Sequence, residues 1–183
     1  DGIRSESGHK YINISWFEPY DGGASPMRYN VYLGDIPNNT LLLASGLDVR
    51  YHNITGLING KRYFFRVSAS NIMGEGKTSA VHNSTPYGIP SVPLDFNVDA
   101  GSGYANLTWS RPKDTGGSSN YSYEVYVISG GEPSFTIGKN IKEDYLNVSM
   151  TDGVGRSFAV RCRNVRGGGS FSAPISVLTL GPF

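Results

Sequence analysis

Two stretches of the sequence repeat each other and decide the fold: residues 16–19 read Trp-Phe-Glu-Pro, and residues 109–112 read Trp-Ser-Arg-Pro. A Tyr-x-Val-Tyr run follows each stretch, at residues 29–32 and 123–126. The period of about 93 residues is longer than the unit of a solenoid, which spans roughly 20 to 50 residues. Each copy is therefore predicted to be a complete domain with its own core.

A proline-rich segment separates the two copies. Residues 85–93 read Thr-Pro-Tyr-Gly-Ile-Pro-Ser-Val-Pro. Prolines at this density stiffen the chain and remove the backbone donors that a sheet needs. We predict a first domain at residues 1–86, a short linker at residues 87–91 and a second domain at residues 92–183.

The first strand of the first domain is the least regular part of the repeat. Residues 1–8 offer only Ile3 as an apolar anchor, whereas the second copy has Leu94, Phe96 and Val98. We expect this strand to be weak or cut short. A sandwich without an edge strand can accept one from a neighbouring copy and grow into a filament. A sequence boundary placed a few residues late is the alternative.

Composition narrows the classes of partner. The net charge is +1, from 16 basic and 15 acidic residues, so no strong field is available to attract nucleic acid. No apolar run is long enough for direct membrane insertion in this segment. The chain has one cysteine and therefore no intrachain disulfide. Strand alternation directs Cys162 inward, as an inert core thiol.

Secondary structure follows a period of two residues. Ile12, Ile14 and Trp16 alternate with Asn13 and Ser15, and no stretch has the spacing of a helix. Strands of this kind, separated by turns rich in glycine, proline and asparagine, are typical of an antiparallel β-sandwich. The sequence therefore predicts an all-β protein.

Each copy resembles a fibronectin type III domain over nearly its whole length. The matching features are the strand-B tryptophan with a proline three residues later, the Tyr-x-Val-Tyr of strand C, and the strand-F pattern at residues 57–71. The resemblance implies two consecutive seven-stranded, immunoglobulin-like antiparallel sandwiches. It also implies a structural core that includes Trp16, Trp109, Tyr63, Val31, Val125, Val67 and Val160.

The resemblance assigns Tyr63 a specific role. In this family the strand-F tyrosine bonds to backbone upstream and closes the turn between strands E and F. The second copy has Arg156 at this position, so its turn must be held in another way. Either the Arg156 guanidinium caps the same carbonyl groups, or the side chain is exposed and the turn is looser.

Asparagines form more glycosylation triplets than chance predicts. Fourteen asparagines at this Ser and Thr content should give about two or three Asn-x-Ser/Thr triplets, but the chain has seven. Either outward polar residues on strands create them, or the protein passes through a secretory route that attaches N-linked glycans. Strand parity points several of them outward. The candidates are Asn13, Asn38, Asn53, Asn83, Asn106, Asn120 and Asn147.

Strands C and F are predicted to expose a surface of aromatic residues and arginines. Such residues anchor protein interfaces. They also form cross-strand pairs that simply stabilise a sheet, and the sequence leaves both readings open. If strands B and E carry glycans, this opposite sheet is expected to stay freer. The candidate contact face comprises Tyr32, Phe64 and Arg66 in the first domain and Tyr126, Arg161 and Arg163 in the second.

Motifs of catalysis are not visible in the sequence. The three histidines, His9, His52 and His82, lack metal-ligand spacing, and no nucleophile motif or calcium loop occurs. We therefore predict no enzyme activity, no metal and no cofactor. The Gly-Glu-Gly-Lys-Thr run at residues 74–78 is interpreted as the turn after strand F.

These observations favour a structural or adhesive module of a secreted or cell-surface protein. It would act as a spacer or assembly subunit through contacts with a protein partner or with itself, and it would carry N-linked glycans. One alternative is a pair of accessory modules from a larger secreted enzyme. Two further alternatives are a fragment of a receptor ectodomain and an intracellular array of such domains. The excess of glycosylation triplets argues against the intracellular array.

Overall fold

The computed structural model describes residues 2–20, 22, 24 and 27–179. The chain divides into two compact units, residues 1–87 and 88–183. None of the described residues is helical, and within the described part of the chain no helix could cross a membrane. Asp21 and Gly23, between the repeated stretches at residues 16–19 and 29–32, lie outside the described residues.

The first unit consists of two antiparallel sheets. The smaller sheet has the order β1-β2-β5, and in the larger sheet β4-β3-β6 is extended by β7 and β8, which both pair with β6. Because β7 and β8 are two pieces of one edge strand, the unit is a seven-stranded sandwich. The strands are β1 (Arg4–Gly8), β2 (Tyr11–Ser15), β3 (Arg28–Ile36), β4 (Asn39–Leu47), β5 (Tyr51–Ile54), β6 (Tyr63–Asn71), β7 (Gly74–Glu75) and β8 (His82–Ser84).

The second unit repeats this order strand for strand. Its smaller sheet is β9-β10-β13, and its larger sheet is β12-β11-β14 with β15 and β16 both paired to β14. The predicted pair of all-β, seven-stranded sandwiches is therefore confirmed. The strands are β9 (Leu94–Gly101), β10 (Tyr104–Ser110), β11 (Tyr121–Ser129), β12 (Glu132–Ile141), β13 (Tyr145–Ser149), β14 (Gly155–Asn164), β15 (Gly167–Gly168) and β16 (Ile175–Leu178).

The first strand of each unit differs in length. Strand β1 has five residues against eight in β9, yet it pairs with β2 along its whole length. The described residues thus leave no unpaired β2 edge for a donated strand. In the second unit the segment before β9 is also bonded to the domain. The Gly88 amide donates to the Gly116 carbonyl at 3.0 Å, and the Ser91 amide donates to the Asp114 carbonyl at 2.7 Å.

Each unit has its own core between the two sheets. Trp16 meets Tyr29 with 5.5 Å between ring centroids, and Trp109 meets Tyr123 at 5.4 Å. Cys162 is fully buried, and burial raises the pKa of its thiol to about 11. Every core residue named from the sequence is buried in its unit: Trp16, Val31, Tyr63 and Val67 in the first, and Trp109, Val125 and Val160 in the second.

The Tyr63 hydroxyl closes the turn before β6. It accepts a hydrogen bond from the Ile58 amide at 3.0 Å, and the Tyr63 side chain is 8% exposed. The Gly60 amide donates to the Pro86 carbonyl at 2.8 Å and holds the other side of the same turn. The contact of Tyr63 is the one that the resemblance implied.

A threonine holds the corresponding turn of the second unit. The Gly153 amide donates to the Thr179 carbonyl at 2.7 Å, which repeats the bond between Gly60 and Pro86. The Thr179 hydroxyl, which proline lacks, donates to the Thr151 carbonyl at 2.9 Å. Arg156 is half-buried, and its side chain makes no hydrogen bond or ion pair with the described residues. The second unit thus lacks the tyrosine, and Thr179, at the position of Pro86 in the first unit, holds the turn instead.

We expect Tyr63→Phe to destabilise the first domain alone and Thr179→Val to destabilise the second alone. Each change removes one partly buried hydrogen bond at a turn, so each should lower the free energy of unfolding of its domain by about 1 kcal/mol. Domain-resolved hydrogen exchange in urea measures both effects. Tyr51→Phe, at a side chain that is 64% exposed, is the control. Equal effects of Tyr51→Phe and Tyr63→Phe would contradict this assignment.

Candidate protein contact face

The predicted contact residues lie on the outward face of the larger sheet in each unit. In the first unit Tyr32 on β3 is directly opposite Arg66 on β6, and Phe64 is two residues away on the same strand. In the second unit Tyr126 on β11 is opposite Ala159, not an arginine. Arg161 and Arg163 follow on β14. The two faces are therefore built differently.

A carboxylate from β7 organises the face of the first unit. Glu75 accepts hydrogen bonds from the Asn30 amide at 2.8 Å, from the Tyr32 hydroxyl at 2.5 Å and from the Ser68 hydroxyl. The bonds from Ser68, Tyr32 and Asn30 lower the pKa of Glu75 to about 2. The bond to this carboxylate also raises the pKa of Tyr32.

A carboxylate from a different strand organises the face of the second unit. Glu124 on β11 is 4% exposed, and its oxygens lie 2.7 Å from the Arg161 guanidinium and 3.3 Å from that of Arg163. The Arg161 guanidinium lies 5.2 Å from the ring centroid of Tyr126 and 4.8 Å from that of Phe171. It also donates to the Tyr126 hydroxyl at 3.1 Å.

Aligning the two units by their paired valines shows that the networks occupy the same place. Val31 pairs with Val67, and Val125 pairs with Val160. Gly168 leaves room for the Arg161 guanidinium in the second unit, because a Cβ atom at Gly168 would lie 2.9 Å from Cζ of Arg161. In this alignment Asn30, Tyr32, Ser68 and Glu75 of the first unit correspond to Glu124, Tyr126, Arg161 and Gly168 of the second.

The two networks separate the predicted arginines into two kinds. Arg161 and Arg163 neutralise a buried carboxylate, so their charge is used inside the sheet. The Arg66 side chain makes no hydrogen bond or ion pair with the described residues, and its counterpart Ala159 is buried. The positive charge of Arg66 is therefore available to a partner.

The glycosylation triplets divide between the two sheets of each unit. Asn13 lies directly opposite Asn53, and Asn106 directly opposite Asn147, on the outer faces of the smaller sheets. Asn106 is half-buried, and the other six candidates are exposed. The remaining three belong to the larger sheets: Asn38 in the β3–β4 turn, Asn83 on β8 and Asn120 before β11.

One glycosylation triplet, at Asn83, lies on the larger sheet, which was expected to stay freer of glycans. It is directly opposite Phe64 in the pairing of β8 with β6. A glycan at Asn83 would stand beside Phe64, so the expectation does not hold at that end of the face. Tyr32 and Arg66 lie farther along β3 and β6, on the side away from β8. They form the part of the face that a glycan at Asn83 would leave open.

No metal site accompanies this face. Among residues 2–20, 22, 24 and 27–179, no three side chains of His, Cys, Asp or Glu lie close enough together to hold a metal ion. The functional residue that sequence reasoning missed is Glu75. The signal that identifies it is the exchange between repeats, where Glu75 and Gly168 occupy the same position.

We expect Arg161→Ala to destabilise the second domain strongly, whereas Arg66→Ala leaves the first domain nearly unchanged. Removing Arg161 deprives the buried Glu124 carboxylate of its closer ion-pair partner, which should lower the free energy of unfolding by about 3 kcal/mol. Removing Arg66, whose side chain is half-buried but has no internal ion pair, should cost much less, about 0.5 kcal/mol. Urea unfolding of both variants tests the difference. Adding Glu124→Gln to Arg161→Ala should restore part of the loss, and no restoration would contradict the ion-pair explanation.

The first domain should lose stability in acid through Glu75. The folded state lowers the pKa of this carboxyl from 4.5 to about 2, so its stabilising effect is complete above pH 4.5 and disappears as the pH falls toward 2. Solvent exposure keeps the amplitude small. Urea midpoints between pH 2 and 6 should show a shallower acid decline for Glu75→Gln than for Glu143→Gln. Identical declines would exclude Glu75 as the source.

Known proteins resemble this chain in sequence and in fold. A family model described as fibronectin type III domain matches residues 2–85. A Kelch domain-containing protein of Saccharolobus solfataricus is 30% identical over 146 residues, which cover 78% of this chain and 19% of that protein. Protein sidekick-2 of Mus musculus is 30% identical over 186 residues, which cover 92% of this chain and 8% of that protein.

The fold comparison extends over both units. The crystal structure of chicken CNTN1 FN1-FN3 domains matches with a TM-score of 0.54 and 20% identity, over 98% of this chain and 65% of that one. The chain spans less than a fifth of either sequence relative. The family match covers the first unit, and the second repeats its strand order and its tryptophan. The first unit therefore belongs to the fibronectin type III family, and the second has the same sandwich fold.

Proposed function

We propose that this tandem is a non-catalytic structural and adhesive module of a secreted or cell-surface protein. It serves as a spacer or assembly subunit and binds protein through the larger sheet of its first domain. The observation that carries the proposal is Arg66, an arginine without an internal ion pair, placed beside Tyr32 on an outward sheet face. Aromatic residues and arginines are enriched in protein interfaces and supply much of their binding energy.

The contrast between the two domains supports this choice of face. The arginines of the second domain are bound to Glu124, and breaking those bonds would cost the ion pair. Arg66 has no such bond to lose when it meets a carboxylate of a partner. With a net charge of +1, the chain provides little long-range attraction, so recognition depends on these local contacts.

An extracellular location is part of the same proposal. Seven glycosylation triplets exceed the two or three expected by chance, and six of the seven asparagines are exposed. We therefore include N-linked glycans among the features of the mature module. Fibronectin type III domains recur in proteins with different architectures, as the Kelch domain-containing and sidekick relatives illustrate, so the site and not the fold must be tested.

Adhesion assays with charge-reversed variants test the contact face. Beads coated with the chain are mixed with one another and with cells of the source organism. Arg66→Glu should reduce adhesion to background, because it reverses the charge next to Tyr32. Arg62→Glu changes the net charge equally, at an exposed position outside the candidate contact face, and should leave adhesion intact. Beads that bind neither target, or adhesion that Arg66→Glu leaves unchanged, would refute the proposal.

A further inference from the structure

The edge strands of the two sandwiches are protected in two different ways. An edge strand exposes backbone donors and acceptors, and proteins usually guard it with charge or proline. Charged residues lie on β1, β7, β9 and β12, and β12 also contains a proline. The uncharged edge strands β5, β8 and β13 each carry a glycosylation triplet instead, at Asn53, Asn83 and Asn147. The short strands β15 and β16 have neither.

Strand β4 is the edge with the greatest need for protection. Its nine residues contain neither a charged residue nor a proline, and no other edge strand among the described residues is as long without one. Three consecutive leucines on it are exposed: Leu41 at 71%, Leu42 at 56% and Leu43 at 45%. The pairing of β4 with β3 has register shifts, but the pairing of β12 with β11 has them too, so charge and proline are the protection that β4 lacks. A long apolar edge without charge or proline is a site for pairing with a second chain.

The corresponding edge of the second domain shows what β4 lacks. Strand β12, like β4, has an exposed apolar side chain, Phe135, which is 47% exposed. It carries Glu132, Pro133 and Lys139, which oppose pairing by charge and by the missing amide of proline. The turn that leads into β12 is Gly-Gly, without a triplet. The triplet of the first domain, Asn38, stands in the equivalent turn.

Local structure presents Asn38 directly beside the leucines. The β3–β4 hairpin is tight, because a Cβ atom at Gly34 would lie 2.1 Å from the Asn39 carbonyl oxygen. Asn38 is exposed in this turn, and Thr40 completes its triplet. Leu41 follows only three residues later, about 10 Å along an extended strand.

We propose that an N-linked glycan at Asn38 covers the β4 edge and prevents two copies of the chain from pairing along it. A strand paired with β4 would run about 4.8 Å away and would have to pass the turn. A bulky, hydrated glycan on Asn38 blocks that path. The glycan thus has the role in the first domain that Glu132, Pro133 and Lys139 have in the second. This inference rests on the extracellular location in the proposed function.

The test uses the full chain, secreted from a host that attaches N-linked glycans. Peptide mapping measures the occupancy of Asn38, and light scattering after size exclusion measures association. Wild type should carry the glycan and stay monomeric, whereas Asn38→Gln should dimerise with a dissociation constant lowered by about tenfold or more. Asn120→Gln, which removes a triplet beside the central strand β11, is the matched control and should stay monomeric. Adding Ser45→Lys to Asn38→Gln places a charge on β4 and should restore the monomer.

Each other outcome has a defined meaning. If Asn38 is occupied and Asn38→Gln stays monomeric, the protective role is wrong while the extracellular location stands. If Asn38 is unoccupied and wild type is monomeric, the inference fails, and the bead assay on Arg66 still decides the contact face. Dimers of Asn38→Gln that Ser45→Lys does not dissolve would show that association uses another surface, and would also overturn the inference.

Discussion

The contact between a tryptophan of one sheet and a tyrosine of the other is the constraint on which the rest of each domain depends. Trp16 meets Tyr29, and Trp109 meets Tyr123, in nearly the same edge-on geometry. Once these rings point inward, strand alternation fixes the direction of every neighbouring side chain. A shift of one residue would bury Tyr32 and expose Val31. The outward face is therefore a consequence of the core.

Strand parity explains why the fold and core could be predicted while the contact network could not. Alternation identified both sandwiches and the inward Val31 and Val125 without any knowledge of pairing. The role of Glu75 depends on β7 pairing with β6 across a turn, which brings three donors from two other strands to one carboxylate. Tight turns and short strands carry no periodic signal, so neither the Glu75 cluster nor the Thr179 bond is visible in one copy.

Comparison of the two copies recovers part of what one copy hides. The same turn is closed by different residues in the two domains: Tyr63 accepts from the Ile58 amide in the first, and Thr179, at the position of Pro86, donates to the Thr151 carbonyl in the second. Buried polar groups must keep partners, so a lost hydrogen bond is tolerated where a second change replaces it. Exchanges of this kind maintain stability and imply no difference in function.

Differences that no contact explains are the better guide to function. Arg66 against the buried Ala159 has no compensating change in the sheet, since the Arg66 side chain makes no hydrogen bond or ion pair with a described residue. The first domain has the Asn38 triplet in the turn where the second domain has Gly-Gly. The accompanying difference is in the strand that follows this turn, which has three exposed leucines in the first domain and charged residues in the second. Both differences concern surfaces that other molecules meet. The two domains have therefore kept one fold while their larger sheets diverged at Arg66, where we propose that a partner binds, and along β4, where we propose that a glycan prevents pairing.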